Sequence, residues 1–138
     1  MRVMIIVRGN ATSESGTLPD DSLMAAMASF HEELAAAGVL LYANGLKPTR
    51  EAWRIRYGTD GQRHVVDGPF TESKELVAGY TLIQVRSRDE AMAWSSRFPA
   101  PFGDGQPAEI EVRPLYELDD FGGLPAAERF RRLESDRG

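Results

Sequence analysis

Two strand–helix–strand patterns, one in each half of the chain, constrain the fold more than any other feature of the sequence. In the first, the apolar run Val3–Val7 precedes a helical pattern that begins near Asp20 or Asp21, and a strand pattern follows at Val39–Tyr42. A continuous apolar run is typical of a strand that is buried on both faces. An Asp at the helix start caps free backbone N–H groups, and Gly38 stands where a left-handed residue ends a helix.

The second pattern lies in the C-terminal half. Leu76–Val85 predicts a long strand, and Ser87 with Glu90 matches a capping box, in which each side chain accepts a hydrogen bond from the backbone of the other residue. Alternation of apolar and polar residues over Ile110–Leu118 predicts a final strand. This half therefore repeats the order strand, helix, strand.

A β-hairpin is predicted between the two patterns. The apolar side chains of Trp53–Tyr57 alternate with arginines, Gly58–Gly61 is a turn signal, and His64–Val66 predicts the returning strand. The stretches Gly9–Pro19 and Pro99–Pro107 are rich in turn-forming residues, and we expect both to be loops.

This order of elements predicts an α+β domain with a ferredoxin-like split βαβ fold and an inserted hairpin, over residues 1–118. The two helices cover one face of the sheet, and an exposed apolar face of that size usually meets a partner. We therefore predict a homodimer whose sheets pack face to face, a dimeric α/β barrel. Residues 119–138 form an extension with a short helix opened by Pro125, expected to dock on the body or on the other subunit.

The composition excludes several classes of function. With 138 residues, 42% of them hydrophobic, the chain fits one domain with a real core, and its apolar segments are too broken for a membrane span. A net charge of −5 argues against nucleic acid as a partner. The absence of cysteine excludes disulfides and thiolate chemistry. The first apolar run is too short for a secretory signal, which predicts a cytoplasmic protein.

No phosphate-binding glycine loop, dinucleotide fingerprint, zinc-protease motif or nucleophile elbow occurs in the sequence. We therefore predict neither a metal site nor a cofactor.

Residues 67–75, called the signature segment below, read Asp-Gly-Pro-Phe-Thr-Glu-Ser-Lys-Glu. This segment resembles the DGPFAETKE signature of the DGPF group of YCII-related proteins, and departs from it at Thr71 and Ser73. The apolar first strand and the Val112–Pro114 segment also resemble that family, so that the resemblance spans residues 1–118. It implies small ferredoxin-like domains that form dimeric barrels.

The resemblance implies two alternative functions. Some YCII-like relatives look like lyases or dehydrochlorinases of small aromatic molecules, which implies a cofactor-free acid–base enzyme acting on a small organic molecule in a cleft of the dimer. DGPF-type proteins also resemble accessory partners of extracytoplasmic-function sigma factors, which implies a non-catalytic binding or regulatory protein. Because a fold alone does not decide function, the surroundings of the candidate base must discriminate between them.

Asp67 is the candidate general base. It stands at the end of a hairpin strand, where Gly68 and Pro69 turn the chain. A carboxylate that is partly desolvated in a pocket has a raised pKa and can accept a proton. The alternative is a tight turn anchored by Phe70, in which Asp67 only bonds to the backbone. Lys74 is a candidate either for pairing with Asp67 or for binding an anionic ligand.

Four further side chains are candidates. His31 lies about 80° from the centre of the apolar stripe of its helix, at about 100° per residue, and is either a second acid–base group or a boundary residue. The histidine that the family implies falls nearer Met27, so its role does not carry over. Tyr80 either presents its hydroxyl to a pocket or is a core aromatic. Arg54 and Arg56 share a strand face and either bind an anionic group or protect an edge strand.

Overall fold

The structure is a computed structural model that describes residues 1–136. The last two residues of the predicted 119–138 extension lie outside the described residues. The strands and helices in chain order are β1 Arg2–Arg8, α1 Ala11–Glu14, α2 Asp21–Ala36, β2 Leu40–Gly45, β3 Trp53–Tyr57, β4 Arg63–Asp67, β5 Val77–Gln84, α3 Arg88–Ser95, β6 Ile110–Pro114 and α4 Ala127–Asp136.

Four strands form one antiparallel sheet in the order β2–β5–β1–β6, and β3 pairs with β4 in a separate two-stranded sheet. The strands that flank α2, β1 and β2, are separated in the sheet by β5. The strands that flank α3, β5 and β6, are separated by β1. This interleaving is a split βαβ arrangement, and it confirms the predicted α+β fold. The two-chain barrel remains a prediction.

The core lies between one face of the four-stranded sheet and helices α2 and α3. Because side chains alternate between the faces of a strand, Val3 and Ile5 point to the same side as Ile83, and none of the three is more than 1% exposed. Helix α2 adds Phe30 and Leu34 from its predicted apolar stripe. The predicted hydrophobic periodicity therefore identified the core face of this helix.

Helices α2 and α3 leave the opposite face of the sheet uncovered. We call this the open face. Its apolar side chains share a register across β1, β2 and β5: they are Met4, Ile6, Tyr42, Tyr80 and Leu82. Tyr42 is 55% exposed and the other four are half-buried.

The helix boundaries follow from capping. Asp20 caps α2 by accepting a backbone hydrogen bond of 2.8 Å, and Gly38 has the predicted left-handed φ of +74°. At the start of α3 the predicted capping box is half correct. Ser87 accepts a 3.1 Å bond from the backbone of Glu90, but the Glu90 carboxylate accepts from the backbone of Arg86 instead of Ser87.

Two other predicted boundaries are wrong. The predicted loop Gly9–Pro19 contains the one-turn helix α1, because Asn10 and Ser13 cap each other. The last strand ends at Pro114 and not at Leu118. Beyond it a side-chain carboxylate of Glu117, and not a strand carbonyl, accepts a 3.1 Å hydrogen bond from the backbone N–H of Arg2, which ends the ladder.

The C-terminal extension contacts the body through an ion pair of 3.6 Å between Glu134 in α4 and Arg2 in β1. Arg131 pairs with Asp119 at 3.4 Å inside the extension itself. The apolar side chains Phe130 and Leu133 of α4, which could anchor the helix, remain 61% and 60% exposed. Docking of this helix through its apolar side chains therefore does not occur within the single chain.

Within residues 1–136 no helix combines the length and apolar character needed to cross a bilayer. The same residues contain no group of three acidic or histidine side chains placed to hold a metal ion.

Candidate functional site

The signature segment is tied to the chain that precedes the hairpin. The backbone N–H of Gly68 donates to the Ala52 carbonyl at 2.9 Å, and the N–H of Phe70 donates to the Thr49 hydroxyl at 3.0 Å. That hydroxyl donates in turn to the Glu14 carboxylate at 2.5 Å. A Cβ at Gly68 would overlap the Thr49 carbonyl oxygen, so only glycine allows this approach. The end of β4 is therefore fixed by backbone contacts.

Arg54 also fixes this segment. Its guanidinium lies 3.8 Å above the ring of Phe70 and 3.4 Å from the Glu75 carboxylate, a cation–π contact supported by an ion pair. Arg56 shares its strand face, but it is exposed and has no ion pair with the other described residues. Of the two predicted anion-binding arginines, one is therefore engaged inside the chain and only the other is available.

The apolar side of the hairpin faces solvent. Register pairs Trp53 with Asp67, Ile55 with Val65 and Tyr57 with Arg63, so these six side chains share one face, which we call the hairpin face. On it the Arg63 guanidinium lies 5.0 Å from the centre of the Tyr57 ring. Its apolar members range from 46% to 70% exposed. The predicted alternation is confirmed, but the side that contacts the body is the arginine side, because Arg54 stacks on the signature segment.

Asp67 is exposed at the end of the hairpin face. Its carboxylate has no hydrogen bond and no ion pair to any other residue in the range 1–136. The turn is held instead by the backbone bonds of Gly68 and Phe70. The Asp67 side chain therefore does not hydrogen-bond to the backbone of its own turn, which was the alternative to a role as a base. A closed cavity around Asp67 is also not formed by one chain.

Among the described residues, no ion pair within 4.0 Å joins Lys74 to Asp67, so the predicted pairing of the two is not formed. Lys74 lines an open cleft of about 400 Å³ together with Arg8, Ser73 and Glu109. The guanidinium of Arg8, at the end of β1, pairs with Glu111 at 4.0 Å. Two cationic side chains and one carboxylate, that of Glu109, therefore border this cleft, and the binding of an anionic group by Lys74 stays a prediction.

His31 connects helix α2 to the sheet. Its Nδ1 is 2.7 Å from the Met27 carbonyl and its Nε2 is 2.8 Å from the Thr81 hydroxyl. A carbonyl only accepts, so Nδ1 carries the hydrogen, and in the neutral ring Nε2 accepts from the hydroxyl. The ring packs edge-on against Phe30 and Phe98 at centroid distances of 5.5 and 6.1 Å. Both nitrogens are thus used within the fold.

Tyr80 points away from His31. It immediately precedes Thr81 on β5, so its side chain lies on the other side of the sheet, the open face, where its ring centroid is 6.2 Å from that of Tyr42. No hydrogen bond among the described residues joins Asp67 to either His31 or Tyr80. A single chain thus does not assemble the three predicted acid–base residues, and their catalytic roles remain predictions.

Sequence reasoning missed the partners of these residues. Thr81 is 2% exposed, and its signal was a hydroxyl residue inside an apolar strand, in step with the core residue Ile83. Arg8 had a weaker signal, since it is the first charged residue after the apolar run Val3–Val7. Neither signal names a partner, because hydrogen-bond partners that are distant in sequence depend on the tertiary fold.

A second open cleft, of about 380 Å³, lies at the other end of the sheet. Its lining residues are Met1, Arg2, Leu41, Gln84, Glu117 and Glu134. The guanidinium of Arg2 donates to the Glu117 carboxylate at 3.0 Å, and these hydrogen bonds lower the pKa of Glu117. The same hydrogen bonds raise the pKa of Arg2. This cleft is therefore organised around a structural ion pair.

Comparisons with known proteins give matches to a family model, to a relative and to a solved structure. The family model of the YCII-related domain matches residues 1–117. An uncharacterised protein of Rhizobium meliloti (strain 1021) is 33% identical over 119 residues, which cover 85% of this chain and 91% of the relative. A solved structure of 5-chloro-2-hydroxyhydroquinone dehydrochlorinase from Burkholderia phenoliruptrix AC1100, in complex with 2,5-dihydroxybenzoquinone, covers 85% of this chain and 95% of its own, with 15% identity and a TM-score of 0.46.

Proposed function

Because the chain belongs to the YCII-related domain family, as the signature segment predicted, we propose that it binds a small organic molecule at the hairpin face and takes a proton from it with Asp67. The observation that carries this proposal is the exposure of Asp67 and its lack of bonding partners. Its carboxylate is exposed and unbonded among the described residues, on a backbone fixed at Gly68 and Phe70. A fixed, available carboxylate meets the geometric requirement for a general base.

The chemistry follows from the neighbours of Asp67. Trp53, directly opposite on β3, offers an aromatic surface on which a planar ligand can stack. An acidic O–H or C–H of that ligand donates its proton to the carboxylate, and the electron pair stays on the ligand. Covering the site would exclude water from the carboxylate and its ligand, which strengthens the electrostatic interactions between them. No cofactor takes part in this step.

A second copy of the chain supplies the cover in this proposal. The open face holds five apolar side chains that α2 and α3 leave uncovered. Pairing of two open faces would bury Tyr80 and Tyr42 and form the predicted dimeric barrel. The proposal gives His31 no proton-transfer role, because both of its ring nitrogens are bonded to Met27 and Thr81.

The alternative is a binding or regulatory protein without turnover, associated with an extracytoplasmic-function sigma factor. One observation favours it: the described residues place no second acid–base group within hydrogen-bond distance of Asp67. Ligand binding without proton transfer would then be the whole function of the site.

The test compares Asp67→Asn with Glu72→Gln, a matched loss of charge at an exposed carboxylate of the same segment. A library of small phenols and other weak acids is screened by thermal shift, since a ligand at 100 times its Kd adds about 2.7 kcal/mol of stability. We expect wild type and Glu72→Gln to be stabilised by the same compounds and Asp67→Asn to lose that response.

Each hit is then incubated with the wild-type protein and its products are measured by mass spectrometry. Turnover that disappears in Asp67→Asn supports the general base. Binding without product, abolished by the same substitution, supports the alternative. An Asp67→Asn protein that binds and converts the hits as wild type does would refute both assignments of Asp67.

A further inference from the structure

We infer that α4 of one copy packs on the hairpin face of a second copy, and that this contact covers Asp67. The inference rests on the proposed function only in making Asp67 the group that is covered. Helix α4 lies beyond residues 1–117, which match the family model. It is therefore a feature that this chain adds to the domain.

Helix α4 has an apolar stripe without a partner in its own chain. Phe130 and Leu133 are three residues apart and so lie on one side of the helix, where they are 61% and 60% exposed. An ion pair of 3.6 Å between Glu134 and Arg2 ties the helix to β1. Glu134 is four residues from Phe130 and lies beside the stripe, yet Phe130 and Leu133 stay exposed.

The hairpin face is the matching surface. Trp53, Tyr57 and Val65 are 64%, 70% and 67% exposed, which leaves them as uncovered as the stripe of α4. Solvent-exposed aromatic side chains in a contiguous patch mark interaction sites. The face is also continuous, because it is one side of a regular five-pair antiparallel ladder from Trp53 to Tyr57 and from Arg63 to Asp67.

Within one chain, the hairpin face and α4 lie near opposite ends of strand β5. The hairpin is held by Glu75, two residues before β5 begins, whereas α4 is held by Arg2, which pairs with Gln84 at the end of β5. An eight-residue strand separates these ends by roughly 25 Å at about 3.3 Å per residue. The helix therefore does not reach the hairpin face of its own chain.

The helix of one copy and the hairpin face of another come together if a two-fold axis lies in the plane of the open face and perpendicular to the strands. It superposes the Gln84 end of one chain on the Val77 end of the other, so each copy gives its α4 and receives its partner's. A closed two-fold pair forms every contact twice. The same axis pairs the open faces, so that the helix contact is continuous with the sheet contact.

The area is sufficient for a stable dimer. With about 150–250 Å² for each aromatic side chain, Trp53, Tyr57 and Phe130 leave roughly 400 Å² uncovered in each copy. Two equivalent contacts bury roughly 800 Å² from these aromatics, and Ile55, Val65 and Leu133 take the total past the ~1,000 Å² expected of a biological interface. Contact between α4 and the hairpin face of a second copy therefore buries enough surface for a stable dimer.

The test is cross-linking in the full-length chain, which has no native cysteine. Val65→Cys and Leu133→Cys are combined, since both side chains are at least 60% exposed and tolerate replacement. A bismaleimide with a short spacer is added at the concentration where the wild type is dimeric. We expect a covalent dimer on a denaturing gel from the double variant.

The controls are the two single variants and the pair Val65→Cys with Met92→Cys, which places the second thiol on an exposed position of α3. We expect these to remain largely monomeric on the gel. Equal cross-linking in the Met92→Cys control, no cross-link in a dimeric double variant, or a monomeric wild type would each overturn the inference.

A second variant, Phe130→Ser with Leu133→Ser, removes the stripe. We expect at least a tenfold increase in the dimer dissociation constant by analytical ultracentrifugation, and an unchanged constant would contradict the contact. These readouts need no ligand. A specific cross-link together with normal ligand response in Asp67→Asn would overturn the proposed function alone. The absence of the cross-link with a lost response in Asp67→Asn would overturn the helix contact alone.

Discussion

The hydroxyl of Thr81 is buried in the core side of the sheet and is hydrogen-bonded to His31. At the residue scale this pair explains why a histidine occupies the middle of α2. The ring joins the carbonyl of Met27 to the sheet, and thereby satisfies a polar group that burial would otherwise leave unpaired. A histidine that was a candidate for proton transfer is thus used for packing and hydrogen bonding.

His31→Leu tests this role. The substitution keeps an apolar side chain against Phe30 but leaves the Thr81 hydroxyl buried without its partner, which costs about 1–3 kcal/mol. We expect a lower free energy of unfolding in urea and recovery in the double variant His31→Leu with Thr81→Val, where both polar groups are removed. His64→Leu on the exposed hairpin is the control. Lost turnover with unchanged stability would instead indicate a catalytic His31.

Gly68→Ala tests the contact that fixes the signature segment. The new Cβ overlaps the carbonyl oxygen of Thr49, so backbone must move, and we expect a loss of about 1–3 kcal/mol or more. Gly123→Ala is a matched control because nothing lies within 4 Å of its Cβ position. Denaturant midpoints compare the two. Equal stability of both variants would show that the approach at Gly68 is not required.

At the scale of elements, the hairpin shows what a sequence pattern does and does not determine. Period-two alternation over Trp53–Tyr57 correctly predicted a strand and which side chains share a face. It did not determine which face contacts the body. That choice depends on the contact of Arg54 with Phe70, and the two residues belong to different segments. The predicted C-terminal boundary of β6 failed for a similar reason, since Glu117 bonds to distant Arg2.

The Arg2–Glu117 pair links the first strand to the segment after the last one, and it predicts a pH dependence. Hydrogen bonds from Arg2 lower the pKa of Glu117 in the folded chain. Stability from this group is therefore fully present above the pKa of an unfolded glutamate and is lost as the pH falls through the lower folded value. Since the Glu117 side chain is 40% exposed, we expect less than about 1 kcal/mol.

Glu117→Gln should remove that component, so that its free energy of unfolding falls less than that of wild type on acidification. The difference should shrink at high salt, which screens exposed charges. Glu32→Gln, at an exposed position of α2, is the control and should follow wild type. Identical acid profiles for wild type and Glu117→Gln would show that the pair does not stabilise the fold.

At the scale of the whole molecule, the sequence was sufficient for the order of the six strands and the longer helices, the split βαβ connection and the family, but not for the one-turn helix α1. It was insufficient for the site, because Asp67 and Tyr80 lie on surfaces that one chain leaves uncovered. Hydrophobic periodicity predicts that the side chains of Trp53 and Met4 are covered, but it does not predict whether the same chain or another molecule covers them. Residues completed by a second chain are therefore beyond what spacing within one chain can predict.

Light scattering tests the oligomeric state directly. We expect a mass twice the 15.3 kDa of the chain at micromolar concentration, because the open face and the stripe of α4 both lack a partner within the described residues. A mass equal to one chain under these conditions would contradict the homodimer.

The position of β1 in the sheet also constrains when the domain can fold during synthesis. This strand is synthesised before the other strands of its sheet, yet its two neighbours are β5 and β6, which lie far along the chain. Closing such long loops precedes the contacts that repay their entropic cost, and folds dominated by distant pairings fold slowly. The apolar segment Val3–Val7 therefore has no partner strand until β5 is complete at Gln84, and its other edge stays open until β6 is complete at Pro114, which exposes it to aggregation during synthesis.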